Sequence, residues 1–214
     1  NQSLRVVDRL ANGGEGLNLT REVRDGIVKH SKSEQSMFES VAGTEPVTLE
    51  GSIVRMCDSI AYINHDIDDA MQAGVLDAED LPTEARDRLG EHGGERINES
   101  VRDIILSSYG EGELKMSPEI QEANDELRSY MFENVYHVLG DRPMAQEARR
   151  VVRELYEYFH DHPDLVYNYR PFLQNAETAD PVIDFLSLQS DKTTIDLYRE
   201  HIGEPLEHLP RYSF

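Results

Sequence analysis

The strongest constraint on the fold is the helical spacing of apolar residues between Leu49 and Ala70. At about 100° per residue on a helical wheel, one stripe collects Ile53, Met56, Ile60, Ile63, Ile67 and Ala70. Val54, Cys57 and Ala61 widen this apolar arc beyond the stripe that an ordinary surface helix needs. The sequence therefore predicts a long helix over 47–73 that is buried on most sides, with Cys57 as a reduced, buried thiol.

The rest of the chain also shows helical spacing, and the alternation typical of β-strands is hard to find. Further helices are predicted over 2–11, 20–30, 96–108, 117–140, 142–160 and 181–201. Irregular segments are predicted over 31–46, 77–95 and 164–180. The sequence thus predicts an all-α fold of roughly seven helices in a single domain over 1–214.

Charge and composition exclude several classes of function. The chain has 42 acidic and 21 basic residues, a net charge of −21, which repels nucleic-acid backbones. Its apolar runs are far shorter than the ~20 residues that cross a membrane. The single Cys57 cannot form an internal disulfide. We expect a cytoplasmic protein with no membrane partner and no stable nucleic-acid partner.

A narrow polar strip interrupts the apolar arc of the long helix. It carries Asp58, Tyr62 and Asp66, each four residues from the next. A carboxylate on a largely buried helix costs free energy unless a metal ion or the hydroxyls of a ligand pair with it. The two carboxylates would lie ~12 Å apart, about the distance from a metal-bound phosphate to the far side of a sugar. The same pattern also fits a strip that faces solvent within the acidic coat, and the spacing alone leaves both interpretations open.

The run Asp58-x-x-Ala61-Tyr62-x-x-His65-Asp66-x-Asp68-Asp69-Ala70 closely resembles a helix of the HD-domain dNTP triphosphohydrolases. Other blocks resemble the same family in matching order: 2–5, 17–20, 23–27, 96–98, 101–105, 116–118 and 127–136. The resemblance implies an HD-domain-type helical bundle with additional C-terminal helices. Residues 1–75 would be the remainder of the HD core and 76–214 the C-terminal helical region.

The resemblance implies a divalent metal, which could be Mg, Mn, Fe or Zn, with Asp58 as one ligand. The other family ligands are a His and a His-Asp pair, and they are expected upstream of residue 1, together with the catalytic groups. The pair His65-Asp66 does not replace them, because it lies on the same helix as Asp58. We therefore expect the upstream segment of the same protein to be a partner, and the 214-residue chain alone to be inactive.

The same resemblance implies four substrate-binding residues. Asp66 corresponds to the carboxylate that holds the sugar 3′-hydroxyl, and Tyr62 to a tyrosine that contacts phosphate and sugar. Arg128 corresponds to an arginine that reaches the triphosphate. Tyr136 corresponds to a tyrosine that packs on the deoxyribose, where a 2′-hydroxyl would clash.

The implied activity is metal-dependent hydrolysis of a dNTP, dGTP foremost, to a deoxynucleoside and tripolyphosphate, by a homo-oligomer. One alternative is a degenerate HD-family module that binds nucleotides or regulates partners without turnover. Another is an HD phosphohydrolase that acts on other nucleotides. An intact His and His-Asp set would favour the enzyme over the first alternative.

Overall fold

The structure, a computed structural model, describes residues 2–30, 44–140, 142–177, 180–203 and 206–209. All regular elements in these ranges are helical, which confirms the predicted all-α fold. In chain order the helices are α1 (Gln2–Arg5), α2 (Arg21–Lys29), α3 (Leu49–Gln72), α4 (Thr83–Leu89), α5 (Gly93–Ser108), α6 (Pro118–Met131), α7 (His137–Gly140), α8 (Pro143–Asp161), α9 (Pro163–Tyr169), α10 (Pro181–Ser187) and α11 (Asp191–His201). π-helical turns at Val6–Leu10 and Phe132–Tyr136 follow α1 and α6, and short 3-10 turns lie at Asn12–Gly14, Ala78–Asp80 and Pro171–Gln174.

The chain divides into two compact units. The central unit is Thr20–Val138, and the terminal unit combines Asn1–Leu19 with Leu139–Phe214. The prediction of one domain over 1–214, with a division after residue 75, stays a prediction. Within the described ranges, no helix has the length and apolarity needed to span a membrane.

Residues recognisable in the sequence set several helix boundaries. The hydroxyl of Thr20 accepts a hydrogen bond from the backbone N–H of Val23 at the start of α2. The hydroxyl of Thr48 does the same for Gly51 at the start of α3. Such caps satisfy backbone donors that have no partner inside the helix. At the other end of α3, Gly74 adopts a φ of +65°, a conformation that favours glycine and ends the helix there.

Two predicted irregular segments contain short helices, so those predictions are wrong in part. Helix α4 lies within 77–95, and all of α9 except its first residue, Pro163, lies within 164–180. Each has only seven residues, too few to show a periodic pattern, and burial of a few apolar side chains stabilises it. Leu89 of α4 and Val166 of α9 are fully buried. The predicted helix over 181–201 is also interrupted, because Ser190 caps the start of α11 by accepting a hydrogen bond from Thr193.

Helix α3 is the centre of the central unit, and α2, α5 and α6 pack against it. Its second half is buried as predicted, with Ile63 and Ile67 at most 1% exposed. Its first half is not, since Ile53 is 45% and Val54 55% exposed and Cys57 is an exposed thiol. The predictions of burial on most sides and of a buried Cys57 are therefore wrong within the described residues. The apolar arc gave the direction of these side chains, whereas burial also requires a neighbour to cover them.

The terminal unit has an aliphatic and aromatic core built around α8. Its buried residues are Leu10, Val151, Leu155, Phe159, Val166, Leu173, Val182, Phe185, Ile195, Leu197, Tyr198 and Leu206. The rings of Phe159 and Phe185 meet edge to face with centroids 5.0 Å apart, an arrangement that aromatic pairs favour. Helix α1 joins this unit through Arg5, whose Nε donates to the buried carboxylate of Asp184 at 2.6 Å.

Candidate functional site

The polar strip of α3 runs along one side of the helix, away from its buried aliphatic stripe. Asp58 is exposed, whereas Tyr62 and Asp66 are partly buried. A four-residue step in an α-helix rises ~6 Å, so the three side chains follow one another along a single line. Ile60 and Ile67 pack into the interior and fix the side of the helix that this strip occupies.

Residues from α6 and the following π-turn meet the strip. The hydroxyl of Tyr136 donates a hydrogen bond to Asp66 Oδ2 at 2.6 Å, although the two residues are 70 positions apart in the chain. Arg128, two helical turns earlier, is only 2% exposed. Tyr62 lies near enough to Arg128, Asp66 and Asp58 for their charges to shift the pKa of its phenol. The five residues predicted as a site therefore form one cluster of charged and phenolic side chains in the central unit.

Phe132 is a member of this cluster that the sequence analysis did not identify. The guanidinium carbon of Arg128 lies 5.5 Å from the centroid of the Phe132 ring. The ring of Tyr136 meets the same phenyl ring edge to face, with centroids 5.0 Å apart and planes at 75°. The signal was present in the sequence, since Phe132 lies four residues from both Arg128 and Tyr136.

Burial and charge keep both tyrosines of the cluster protonated. Burial raises the pKa of the Tyr62 phenol, Arg128 opposes this shift, and the carboxylates of Asp66 and Asp58 add to it. Burial also raises the pKa of Tyr136 far above its usual range, helped by the hydrogen bond to Asp66 and by the negative charge of that carboxylate. At neutral pH both phenols are hydrogen-bond donors and not bases.

A buried arginine fixes the part of α3 that carries Asp66. Arg96 of α5 is completely buried, and its Nε donates to Asn64 Oδ1 at 2.6 Å. Its Nη1 donates to the carbonyl of Glu91 at 2.7 Å, and its Nη2 to Asp68 Oδ1 at 3.2 Å. Burial lowers the pKa of Arg96, and the charge of Asp68 partly opposes that shift. Because Asn64 and Asp68 flank Asp66 in the chain, this network holds α3 on both sides of the site residue.

Asp58 could supply one oxygen ligand to a divalent cation, since carboxylates bind all the metals considered above. Within the described residues, however, there is no group of three His, Cys, Asp or Glu side chains placed to hold a metal ion. These residues alone therefore do not make a metal site, and no metal-dependent step is assigned to them.

Comparison with known proteins defines the class first. Residues 114–200, which include α6, the π-turn and Arg128, match the phosphohydrolase-associated domain. Over 89–93% of its length the chain is similar to proteins named deoxyguanosinetriphosphate triphosphohydrolase-like, as the sequence resemblance predicted.

Three relatives illustrate this similarity, and each carries the name deoxyguanosinetriphosphate triphosphohydrolase-like protein. The chain is 43% identical to the one from Caldanaerobacter subterraneus over 93% of its own length and 56% of the relative. It is 34% identical to that of Desulfatibacillum aliphaticivorans, over 93% of this chain and 60% of the relative. It is 37% identical to that of Clostridium perfringens, over 89% of this chain and 56% of the relative. The chain thus spans less than two thirds of the length of these relatives.

Proposed function

We propose that this chain supplies the sugar- and phosphate-binding part of a metal-dependent dNTP triphosphohydrolase, with dGTP as the foremost substrate. The observation that carries the proposal is the hydrogen bond from Tyr136 to Asp66, which joins α3 to the π-turn beside the buried Arg128. A carboxylate, two protonated phenols and a guanidinium gathered in this way suit a ligand that has both hydroxyls and negative charge. The similarity to deoxyguanosinetriphosphate triphosphohydrolase-like proteins supports the same proposal.

Each residue has a role that follows from its chemistry. Asp66 accepts a hydrogen bond from the sugar 3′-hydroxyl, and Tyr136 packs on the deoxyribose, so that a 2′-hydroxyl clashes with its ring. Tyr62 lies within the influence of both the carboxylates and Arg128 and can donate to a phosphate oxygen or to the sugar. Arg128 attracts the triphosphate. The attraction is stronger because the guanidinium is buried, where water screens its charge poorly.

In the proposed reaction a water oxygen attaches to the α-phosphorus and the bond from that phosphorus to O5′ breaks. The O5′ atom takes a proton, and the products are the deoxynucleoside and tripolyphosphate. A divalent metal, when bound, would activate the water and neutralise phosphate charge. Of the groups that would hold the metal, this chain would contribute Asp58. We propose that the working form is a homo-oligomer; the cytoplasmic location stays a prediction from the sequence.

The identity of the products tests this function. The full-length protein, incubated with dGTP and Mn²⁺ or Mg²⁺, should release deoxyguanosine and tripolyphosphate in equal amounts, which anion-exchange chromatography separates from dGMP and pyrophosphate. Asp58→Ala should remove bound metal and lower turnover at least about 100-fold, because losing a ligand costs more than losing one of the groups that orient it. Its helical content should stay near normal.

Asp87→Ala is the matched control, since Asp87 is an exposed aspartate of α4 in the same unit. It should retain both metal and turnover. Release of pyrophosphate or of single phosphates would contradict the proposed reaction. An Asp58→Ala protein with undiminished metal content would refute the assignment of Asp58. Binding of dGTP by the wild-type protein without any turnover would favour the nucleotide-binding module over the enzyme.

A further inference from the structure

Three side chains form a continuous stack along α6 and the π-turn that follows it. Arg128 lies 5.5 Å from the centroid of the Phe132 ring, and that ring lies 5.0 Å from the ring of Tyr136. Phe132 is partly buried, and its ring contacts both the buried guanidinium of Arg128 and the phenol ring of Tyr136, whose hydroxyl donates to Asp66. Phe132 therefore contacts both the proposed phosphate-binding residue and the proposed sugar-binding residue of this helix.

The π-turn explains how the outer two residues of the stack come into line. In a regular α-helix two residues eight positions apart diverge by about 80° around the axis. In the π-turn Phe132–Tyr136 the N–H of His137 bonds back five residues to the carbonyl of Phe132, so each residue turns through a smaller angle. The smaller rotation offsets the divergence and directs Tyr136 toward the same side as Arg128. Such π-turns occur frequently at functional sites.

We infer that Phe132 is a positioning residue for sugar selection, which holds the ring of Tyr136 against Asp66 and presents its face to the Arg128 guanidinium. This inference rests on the proposed function, because it assumes that Tyr136 forms the wall against a 2′-hydroxyl. The edge-to-face contact restricts rotation of the Tyr136 ring, and a ring that could rotate would admit the larger sugar. The hydrogen bond to Asp66 fixes only the hydroxyl of Tyr136, whereas Phe132 fixes its ring.

The inference predicts a specific loss of discrimination. In the full-length protein, Phe132→Leu should lower the ratio of kcat/KM for dGTP to kcat/KM for GTP by roughly 3- to 10-fold, the size expected from losing one edge-to-face aromatic contact. Phe132→Tyr keeps the ring and should keep the ratio within about twofold. A loss confined to stability would leave the ratio unchanged in both variants.

Two further variants complete the experiment. Tyr109→Leu removes an aromatic ring that is 88% exposed at the end of α5 and should not alter the ratio. Tyr136→Ala should lower the ratio more than Phe132→Leu does, because the wall itself is removed. Phe132→Met serves as a second ring-free variant, with the same expected result, if Phe132→Leu does not fold by circular dichroism.

The two ways of failing are distinguishable. If Tyr136→Ala lowers the ratio while the ring-free Phe132 variants leave it unchanged, Phe132 has no positioning role and the proposed function stands. If Tyr136→Ala itself leaves the ratio unchanged, the proposed sugar wall is wrong and the role of Phe132 falls with it. A graded loss from Phe132→Tyr to Phe132→Leu to Tyr136→Ala supports the inference.

Discussion

The central and terminal units bury charges of opposite sign. Among the described residues, the buried ionic side chains of the central unit are the arginines Arg96 and Arg128, whereas those of the terminal unit are the carboxylates Glu147 and Asp184. A buried charge is tolerated only when other groups compensate for its lost hydration. The partners of each charge therefore indicate what it does.

In the terminal unit the buried carboxylates bind segments that are distant in the sequence. Asp184 accepts hydrogen bonds from Arg5 and Gln2, about 180 residues earlier. The carboxylate of Glu147 accepts from the backbone N–H groups of residues 207–209, about 60 residues later. These carboxylates hold the unit together and leave little capacity for a ligand.

In the central unit the buried arginines lie behind a polar strip that is partly open. Arg96 holds α3 on either side of Asp66, and Arg128 lies close enough to lower the pKa of Tyr62 against the effect of burial. In a chain with a net charge of −21, the proposed anionic substrate would need such a local positive charge. The contrast teaches that the position of the buried arginines, which carry the rarer charge, supports the proposed site, whereas the overall charge does not.

The largest effect is expected from removing the arginine that holds α3. Arg96→Leu should lower the free energy of unfolding by about 3 kcal/mol, because it leaves Asn64 and the carbonyl of Glu91 without their donor inside the protein. Arg102→Leu on the same helix should cost at most about 0.5 kcal/mol, since its side chain is 64% exposed and pairs with Glu99 at the surface. Urea unfolding measures both, and equal effects would show that the Arg96 network does not stabilise the central unit.

A smaller, pH-dependent effect is expected in the terminal unit. Burial alone would raise the pKa of Glu147, but hydrogen bonds from the N–H groups of 207–209 outweigh it and hold the pKa below the ordinary 4.5. The folded state therefore gains stability from Glu147 above pH 4.5 and loses it as the pH falls through the lowered pKa. Glu147→Gln should cost about 1–2 kcal/mol at pH 7, and this difference should shrink in acid.

Thermal unfolding from pH 7 to about pH 3 measures this trend. Glu157→Gln, at an exposed position of the same helix α8, should show little effect at any pH. A Glu147→Gln penalty that persists unchanged in acid would mean that the carboxylate charge does not hold residues 207–209.

The sequence predicted those features that depend on local chemistry. The spacing of Ile60, Ile63 and Ile67 identified the buried stripe of α3, and Thr20 and Gly74 marked helix ends correctly. Family resemblance then supplied Arg128 and Tyr136, which spacing alone would have assigned to a surface or a core. The structure joins Tyr136 to Asp66 by a hydrogen bond and places Arg128 beside the Phe132 ring, but the roles of these residues stay proposals.

Other features depend on tertiary contacts that no local pattern reports. Cys57 lies on the apolar arc and is exposed, because periodicity gives the direction of a side chain and not its neighbours. Leu89 stabilises a helix too short to be periodic. The π-turn at Phe132–Tyr136 arises because a backbone hydrogen bond spans five residues instead of four, and no residue type in this segment reports that shift.

The most direct test of the central claim asks whether Asp66 recognises the sugar 3′-hydroxyl. The full-length wild-type protein should prefer dGTP to 2′,3′-dideoxy-GTP by about 10- to 100-fold in kcat/KM, the range for one hydrogen bond to a charged group. Asp66→Ala should lower this preference to about twofold or less, whatever its effect on the overall rate. Asp87→Ala should leave the preference intact. If Asp66→Ala keeps the full wild-type preference for dGTP, the cluster of α3 and the π-turn does not bind the sugar, and the nucleotide site lies elsewhere.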